Sequence, residues 1–244
     1  MKKNGWQIAA AGILTAGILI FAAAIKSPQK TTWQLKESVK AAARVMAGEG
    51  MLRLVEDSLE KPRVALTFDD GPSKKYTPML LDGLKERGIQ ASFFLTGKNI
   101  EGNEELVKRI SEEGHLIGNH TYNHVQLSKL SAAKAKEEIE KTSNEIYELT
   151  GVYPLYLRPP FGSWRKDMEL CVNMFPVFWT VDTLDWESKN VDSILQIVDN
   201  QVEDGSIILM HDGYETSVEA AFQIIDKLSD EGYDFVTVDR MLVL

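Results

Sequence analysis

The sequence predicts an α/β domain built on a mainly parallel sheet, carried behind an apolar N-terminal helix. Three observations predict it. From Arg63 onward, short apolar runs alternate with amphipathic stretches, and strands alternating with helices imply parallel pairing through helical crossovers. Five of those apolar runs end in Asp, His or Arg. Ahead of that body, Ile8 to Ile25 runs for 18 residues without a charge.

The bulk numbers narrow the classes. At 244 residues and 44% hydrophobic content the chain suits one large domain or two small ones, with a sizeable core. A net charge of -9 argues against a nucleic-acid binder that relies on phosphate contacts. Lys2, Lys3, Lys26 and Lys30 stand without any acid in residues 1–32, so the remainder is more acidic than the total. The single cysteine, Cys171, excludes an intrachain disulfide framework and a multi-thiolate metal site. It sits in the apolar segment Leu170-Cys171-Val172 and is expected to be a buried, inert thiol.

With Trp6 and Gln7, the N-terminal apolar run approaches the ~20 residues that span a bilayer as a helix. It exceeds the ~7–15 residues of a signal-peptide core, although Ala22-Ala23-Ala24 offers a cleavage site. Residues 1–26 are therefore expected to be an uncleaved membrane anchor, with a cleaved signal peptide as the alternative. Lys2 and Lys3 favour an inside N-terminus, which leaves the body outside the cytoplasm, or secreted after cleavage. Residues 27–62 are expected to be a stem. Trp33, Val39, Ala43 and Met46 there can share one face of a short helix before Gly48 and Gly50 interrupt it.

In the body, strands are expected at Val64–Phe68, Ala91–Leu95, Leu116-Ile117, Tyr153–Leu157, Val177–Val181, Ile207–Met210 and Phe235–Val238. Helices are expected at Thr77–Arg87, Glu104–Glu113, Ser131–Leu149, Val191–Val202 and Val218–Leu228, the first three being closed by Gly88, Gly114 and Gly151. Such a rhythm fits either a closed barrel or an open doubly wound sheet. No Gly-x-Gly-x-x-Gly or Walker-type loop opens a helix, so nucleotide binding has no support.

In barrels of this kind the active site gathers at the C-terminal ends of the strands. The ends here are Asp69-Asp70, Gly118-Asn119-His120, Arg158-Pro159-Pro160-Phe161-Gly162, Asp182-Thr183-Leu184-Asp185-Trp186 and His211-Asp212-Gly213. One strand ending in Asp is ordinary turn chemistry, and five converging ends are harder to attribute to turns. His120 and His124 stand four apart, a spacing that shares a face on a helical turn. With a carboxylate such as Asp70 they make a two-His-one-carboxylate set that leaves positions open for water and substrate. Of the adjacent acids Asp69 and Asp70, one could bind a metal and the other move a proton, and adjacency alone does not say which. His115 is expected to be structural.

Together these blocks resemble the polysaccharide deacetylase family, carbohydrate esterase family 4, also called the NodB-homology domain. The resemblance runs from about Arg63 to Leu244. It rests on Thr-Phe-Asp-Asp-Gly-Pro at 67–72, His-Thr-x-x-His at 120–124, Arg-Pro-Pro-Phe-Gly at 158–162, Asp-x-x-Asp-Trp at 182–186 and Leu-Met-His at 209–211. It implies a distorted (β/α) barrel of seven or eight units over residues 63–244, and removal of acetyl groups from sugar polymers with a divalent metal. It further implies that Asp70, His120 and His124 bind the metal, zinc first, with cobalt or another divalent ion as alternatives. Asp69 is then the general base, with Arg158 paired to it and holding it ionised. His211 is the general acid, with Asp182 behind it to tune and orient it. The backbone N–H of Phe161 joins in stabilising the oxyanion, and Trp186 and Leu209 wall the acetyl pocket. The family often has Tyr where Phe161 stands, a change that a backbone role tolerates. Asp185 is expected to have a structural role.

The substrate expected from the resemblance and the anchor is an N-acetylated glycan outside the cytoplasm: peptidoglycan first, chitooligosaccharide second, O-acetyl xylan third. The sequence assigns no oligomeric state. Three other readings compete. A non-haem iron oxygenase shares the ligand set, but those sites usually occupy antiparallel double-stranded barrels. A glycosidase needs carboxyls on opposite sides of the scissile bond, which adjacent Asp69 and Asp70 do not offer. A glycan-binding pseudoenzyme would keep the barrel without the full catalytic set found here.

Overall fold

The computed structural model describes residues 61–165 and 173–242. The expected anchor, the stem up to residue 60, and Cys171 lie outside the described residues. Among the described residues, no helix is long and apolar enough to cross a membrane.

The elements alternate as the rhythm requires. In chain order they are β1 (Arg63–Asp69), α1 (Tyr76–Glu86), β2 (Ser92–Leu95), α2 (Glu104–Glu112), β3 (Leu116–Asn119), α3 (Ala132–Thr150), β4 (Tyr156–Leu157), β5 (Phe175–Pro176), β6 (Val181–Asp182), α4 (Asp185–Ser188), α5 (Val191–Gln201), β7 (Ser206–His211), α6 (Glu215–Asp230), β8 (Asp234–Phe235) and α7 (Val238–Leu242). Every strand pairing is parallel, in the order β5-β4-β3-β2-β1-β7-β6, with β8 pairing the start of β1. Among the described residues β5 and β6 do not pair, so the sheet fits a distorted barrel that is not fully closed.

β1 is the central strand and is buried from Val64 to Asp69. Its near-continuous apolar run is what a parallel strand covered on both faces requires. Phe68 stacks on Phe93 of β2 with ring centroids 5.3 Å apart. Around this pair, Leu80, Leu81 and Leu84 of α1 and Val218, Ala221 and Ile225 of α6 fill one buried cluster. The longest helix among the described residues, α3, starts where the Ser131 side chain accepts from the Lys134 N–H and stops at Gly151, whose φ of 73° suits the left-handed helix end.

Three expected strands are shorter or displaced, each for a physical reason. Of the strand expected at Val177–Val181 only Val181 is realised, as the first residue of β6, and β5 ends just before it at Pro176. The carbonyls of Val177 and Phe178 accept from the Arg158 guanidinium instead of from a neighbouring strand. At Tyr153–Leu157 only Tyr156–Leu157 pairs; Pro154 has no N–H to give a ladder. At Phe235–Val238 the strand ends at Phe235, and Val238 already opens α7.

Candidate active site

β1 and β7 run in register so that Asp69 lies opposite His211. Adjacent strands stand about 4.8 Å apart, so this pairing sets two titratable side chains side by side at one end of the sheet. Arg158, just beyond β4, reaches under them. Its side chain is fully buried, and one guanidinium nitrogen donates to Asp69 Oδ1 at 2.8 Å and to Thr67 Oγ1 at 2.6 Å. The guanidinium lies 4.2 Å from the Phe94 ring centroid and 5.8 Å from that of Trp179. Burial pushes the Asp69 carboxyl above its usual value, and Arg158, the largest opposing influence, does not fully reverse this. Arg158 thus pairs with Asp69 as expected, yet leaves it a better proton acceptor than an ordinary carboxylate. Because Oδ1 is engaged, Oδ2 is the oxygen turned to the site, 3.7 Å from His120 Nε2.

Asp70, His120 and His124 come together. Their donor atoms lie within 4.8 Å of one another, with Asp70 Oδ1 at 3.5 Å from His120 Nε2 and 3.3 Å from His124 Nε2. His120 Nδ1 lies 2.7 Å from the Arg158 carbonyl oxygen, which can only accept, so Nδ1 carries the proton and Nε2 presents a lone pair. Burial drives the His120 imidazolium down to about pKa 3, against the pull of Asp70, so the ring is neutral. Asp70 Oδ1 is itself buried without a hydrogen-bond partner. An orphaned carboxylate oxygen beside two imidazole nitrogens is a donor set that fits a cation.

The backbone that presents these ligands is not the helical turn expected from the His-x3-His spacing. Residues 120–124 form an irregular turn, with Thr121 at φ 62° and His124 at φ 53°. Asp70, at φ 73°, lies in the same left-handed region. Such conformations cost on the order of 1–3 kcal/mol each and persist only when neighbours hold them. Here Asn119 Oδ1 accepts from Thr121 N, and its amide donates to Ile139 O and Ser143 Oγ of α3. Asn123 is held twice by Glu138, each at 2.8 Å. Asn99 Nδ2 donates to the Asp70 carbonyl at 2.7 Å.

His211 ends β7 beside Asp69, and its hydrogen-bond partner is Asp185, not the expected Asp182. β6 ends at Asp182 in register with Leu209, two residues short of His211. Leu184, at φ 52°, then turns the chain so that Asp185 opens α4 beside His211. Asp185 is fully buried and accepts four hydrogen bonds: from His211 Nδ1 at 2.8 Å, His211 N at 2.8 Å, Trp186 N at 2.9 Å and Ser217 Oγ at 2.6 Å. Asp182 instead accepts from Leu184 N within its own turn. Burial alone would lower the His211 pKa, but the Asp185 hydrogen bond and charge, joined by Asp69 and Asp70, raise it to about 9.

The remaining expected residues surround this centre. Phe161 sits in a turn of 3₁₀-helix at φ 61°, is 68% exposed, and lays its ring 4.8 Å from the His124 ring. Trp186 is 48% exposed beside Asp185, whereas Leu209 is buried on β7. His115 is structural as expected: its Nδ1 accepts from Ala91 N at 3.1 Å and its ring packs edge-on to Phe93. Two cavities, of 340 Å³ and 520 Å³, are lined by residues such as His115 and Arg240 at the opposite end of the strands, and none of the catalytic candidates lines them.

Several known proteins are similar to this chain. The polysaccharide deacetylase profile matches residues 56–176. A peptidoglycan-N-acetylglucosamine deacetylase of Bacillus cereus is 41% identical over 192 residues, covering 74% of this chain and 68% of the relative. The peptidoglycan-N-acetylglucosamine deacetylase PgdA of Listeria monocytogenes is 40% identical over 179 residues, and the match spans 73% of this chain but only 38% of that protein. The solved structure of the peptidoglycan deacetylase PdaC from Bacillus subtilis superposes with a TM-score of 0.73 at 38% identity, covering 75% of this chain and 90% of that one. The chain belongs to the polysaccharide deacetylase family.

Proposed function

We propose that this chain is a metal-dependent hydrolase that removes N-acetyl groups from peptidoglycan sugars outside the cytoplasm, tethered by its apolar N-terminal segment. The observation that carries the reading is the close assembly of Asp70, His120 and His124 with a base held by Arg158 and an acid held by Asp185. The names of the relatives support peptidoglycan over chitooligosaccharide or xylan, and the apolar N-terminal run supports the tether and the location. Zinc is the first choice for a site of two imidazoles and one carboxylate with open positions, and cobalt the second.

When bound at these three residues, a divalent cation would acidify a water toward pKa ~7 and polarise the acetyl carbonyl. The protein's own groups do the rest. Asp69 Oδ2 takes the water proton as the oxygen adds to the carbonyl carbon. Its raised pKa matches it to that work. The Phe161 backbone N–H is a donor for the developing oxyanion, a contribution that typically amounts to ~10²–10³ in rate. His211, with Nδ1 committed to Asp185, hands a proton from Nε2 to the departing sugar amine as the C–N bond breaks, giving acetate and a free amine. Trp186 and Phe161, both exposed, offer faces against which a sugar can stack. A glycan-binding pseudoenzyme would lack one of these groups, and none is missing.

The test is acetate release from peptidoglycan, chito-oligomers and acetylxylan by the full chain, with and without chelator. Release from peptidoglycan that stops on chelation and returns with zinc or cobalt is expected. No release from any substrate with metal supplied would refute the enzymatic reading.

A further inference from the structure

The end of β7 carries a second carboxylate that this chemistry does not use. Asp212 follows His211 and is buried. Its Oδ2 accepts the Thr77 hydroxyl proton, and Thr77 Oγ1 in turn accepts from the Ser73 N–H at 2.7 Å. The other oxygen, Oδ1, is buried without a hydrogen-bond partner. Gly71 backs directly onto it: a Cβ there would lie 2.4 Å from Oδ2 and 2.7 Å from Oδ1. Residues 71–77 are the stretch that follows Asp70, so the metal-ligand loop is fastened to the residue that follows the acid. The other side of the loop is held by Asn99 Nδ2 on the Asp70 carbonyl at 2.7 Å and by Thr96 N on the Gly71 carbonyl at 2.9 Å.

This fastening matters because Asp70 is a non-glycine residue at φ 73°, a conformation its neighbours must impose. We propose that Asp212 is a positioning residue, which clamps the 71–77 turn to β7 through Thr77 and Ser73 and so holds the Asp70 carboxylate against His120 and His124. The proposal rests on the reading that those three residues hold a divalent cation. It assigns Asp212 no contact with substrate and no proton to transfer.

The test uses the full chain stripped with chelator and titrated with Co²⁺, read by visible absorption, together with kcat and KM for deacetylation. The variants are Asp212→Ala, Asp212→Asn and Thr77→Val. Asp212→Ala and Thr77→Val are expected to weaken Co²⁺ binding, change the absorption band, and lower kcat on the order of 10–100-fold, because a ligand misplaced at a distance costs that much. KM should stay within about twofold, since no substrate contact is removed. Asp212→Asn keeps one carbonyl oxygen for Thr77 and should recover most of the loss. The double variant should be little worse than the worse single one, because both break one chain of hydrogen bonds. Should Asp212→Ala fail to fold, Thr77→Val alone decides. Lower melting temperatures with wild-type Co²⁺ affinity, spectrum and kcat would overturn the clamp while leaving the metal reading intact. A wild-type chain that binds no Co²⁺ would overturn both.

Discussion

Replacing Asp185 by Asn isolates what the carboxylate does for His211. The substitution keeps the size of the side chain and removes its charge. Asp185 supplies the largest influence that raises the His211 pKa, so without it the pKa falls from about 9 toward the ordinary 6.5. His211 must be protonated to act as an acid, so it sets the alkaline limb of the pH–rate profile. At pH 8, a pKa near 9 leaves the ring about 90% protonated and a pKa of 6.5 about 3%, a roughly thirtyfold loss in kcat/KM. At pH 6 the same comparison gives a loss of only about 1.3-fold. The assay is acetate release from peptidoglycan between pH 5 and 10, in steps of about one unit. Stability moves with the same sign. A raised pKa stabilises the fold fully below 6.5, and that part is lost as pH rises through about 9. The titration-linked gap in unfolding free energy between wild type and Asp185→Asn, at most about 3 kcal/mol, should therefore be widest near pH 6 and close above pH 9. An Asp185→Asn enzyme with the wild-type alkaline limb, or an Asp182→Asn enzyme whose limb moves instead, would refute the assignment.

Other expectations follow from the same geometry. Asp69→Asn should abolish turnover while zinc binding, read by isothermal titration, persists; Asp70→Asn should lose the metal, and the opposite pattern would mean the two roles are exchanged. Saturating zinc at ~100 times Kd should stabilise the wild type by about 2.7 kcal/mol and leave Asp70→Asn unmoved in thermal melts. Arg158→Gln should destabilise the fold by about 3–5 kcal/mol in urea, because it leaves the Asp69 charge buried alone. The same change should move the acid limb of activity to higher pH, since only His211 and His124 then oppose the burial that raises Asp69. Gly118→Ala places a Cβ 2.4 Å from the Phe94 ring, which lies 4.2 Å from the Arg158 guanidinium. It should cost ~1–3 kcal/mol by overpacking and lower kcat as well, measured by denaturation and acetate release.

Much of the site was legible because a parallel strand must be apolar until it leaves the core. Val64 to Phe68 and Ile207 to Met210 announce their own ends, and the polar residues there are the ones brought together. Asp182 and Asp185 were harder to tell apart because both follow one short strand. The choice depended on a single left-handed residue, Leu184, which nothing in its side chain foretells. The His120–His124 turn was misjudged for a similar reason. Four-residue spacing fits a helix, but Asn119 and Asn123 hold the chain in another path through partners on α3, whose alignment only the fold determines. Val177–Val181 has the composition of a strand, yet its first two carbonyls accept from a buried guanidinium and only Val181 joins a ladder, as part of β6.

Arg158 also bears on how such a protein can decay. Its guanidinium has no access to water, and Asp69 is the charge that balances it. A copy released from selection for turnover still loses about 3–5 kcal/mol on dropping that aspartate, out of a total stability of roughly 5–15. Thermodynamics alone therefore retains Asp69. His124 has no such protection: its side chain is 28% exposed and its backbone sits in a costly conformation. In a descendant that has fallen silent, the first vacancy belongs at His124, and an intact Asp69 would say more about folding than about catalysis.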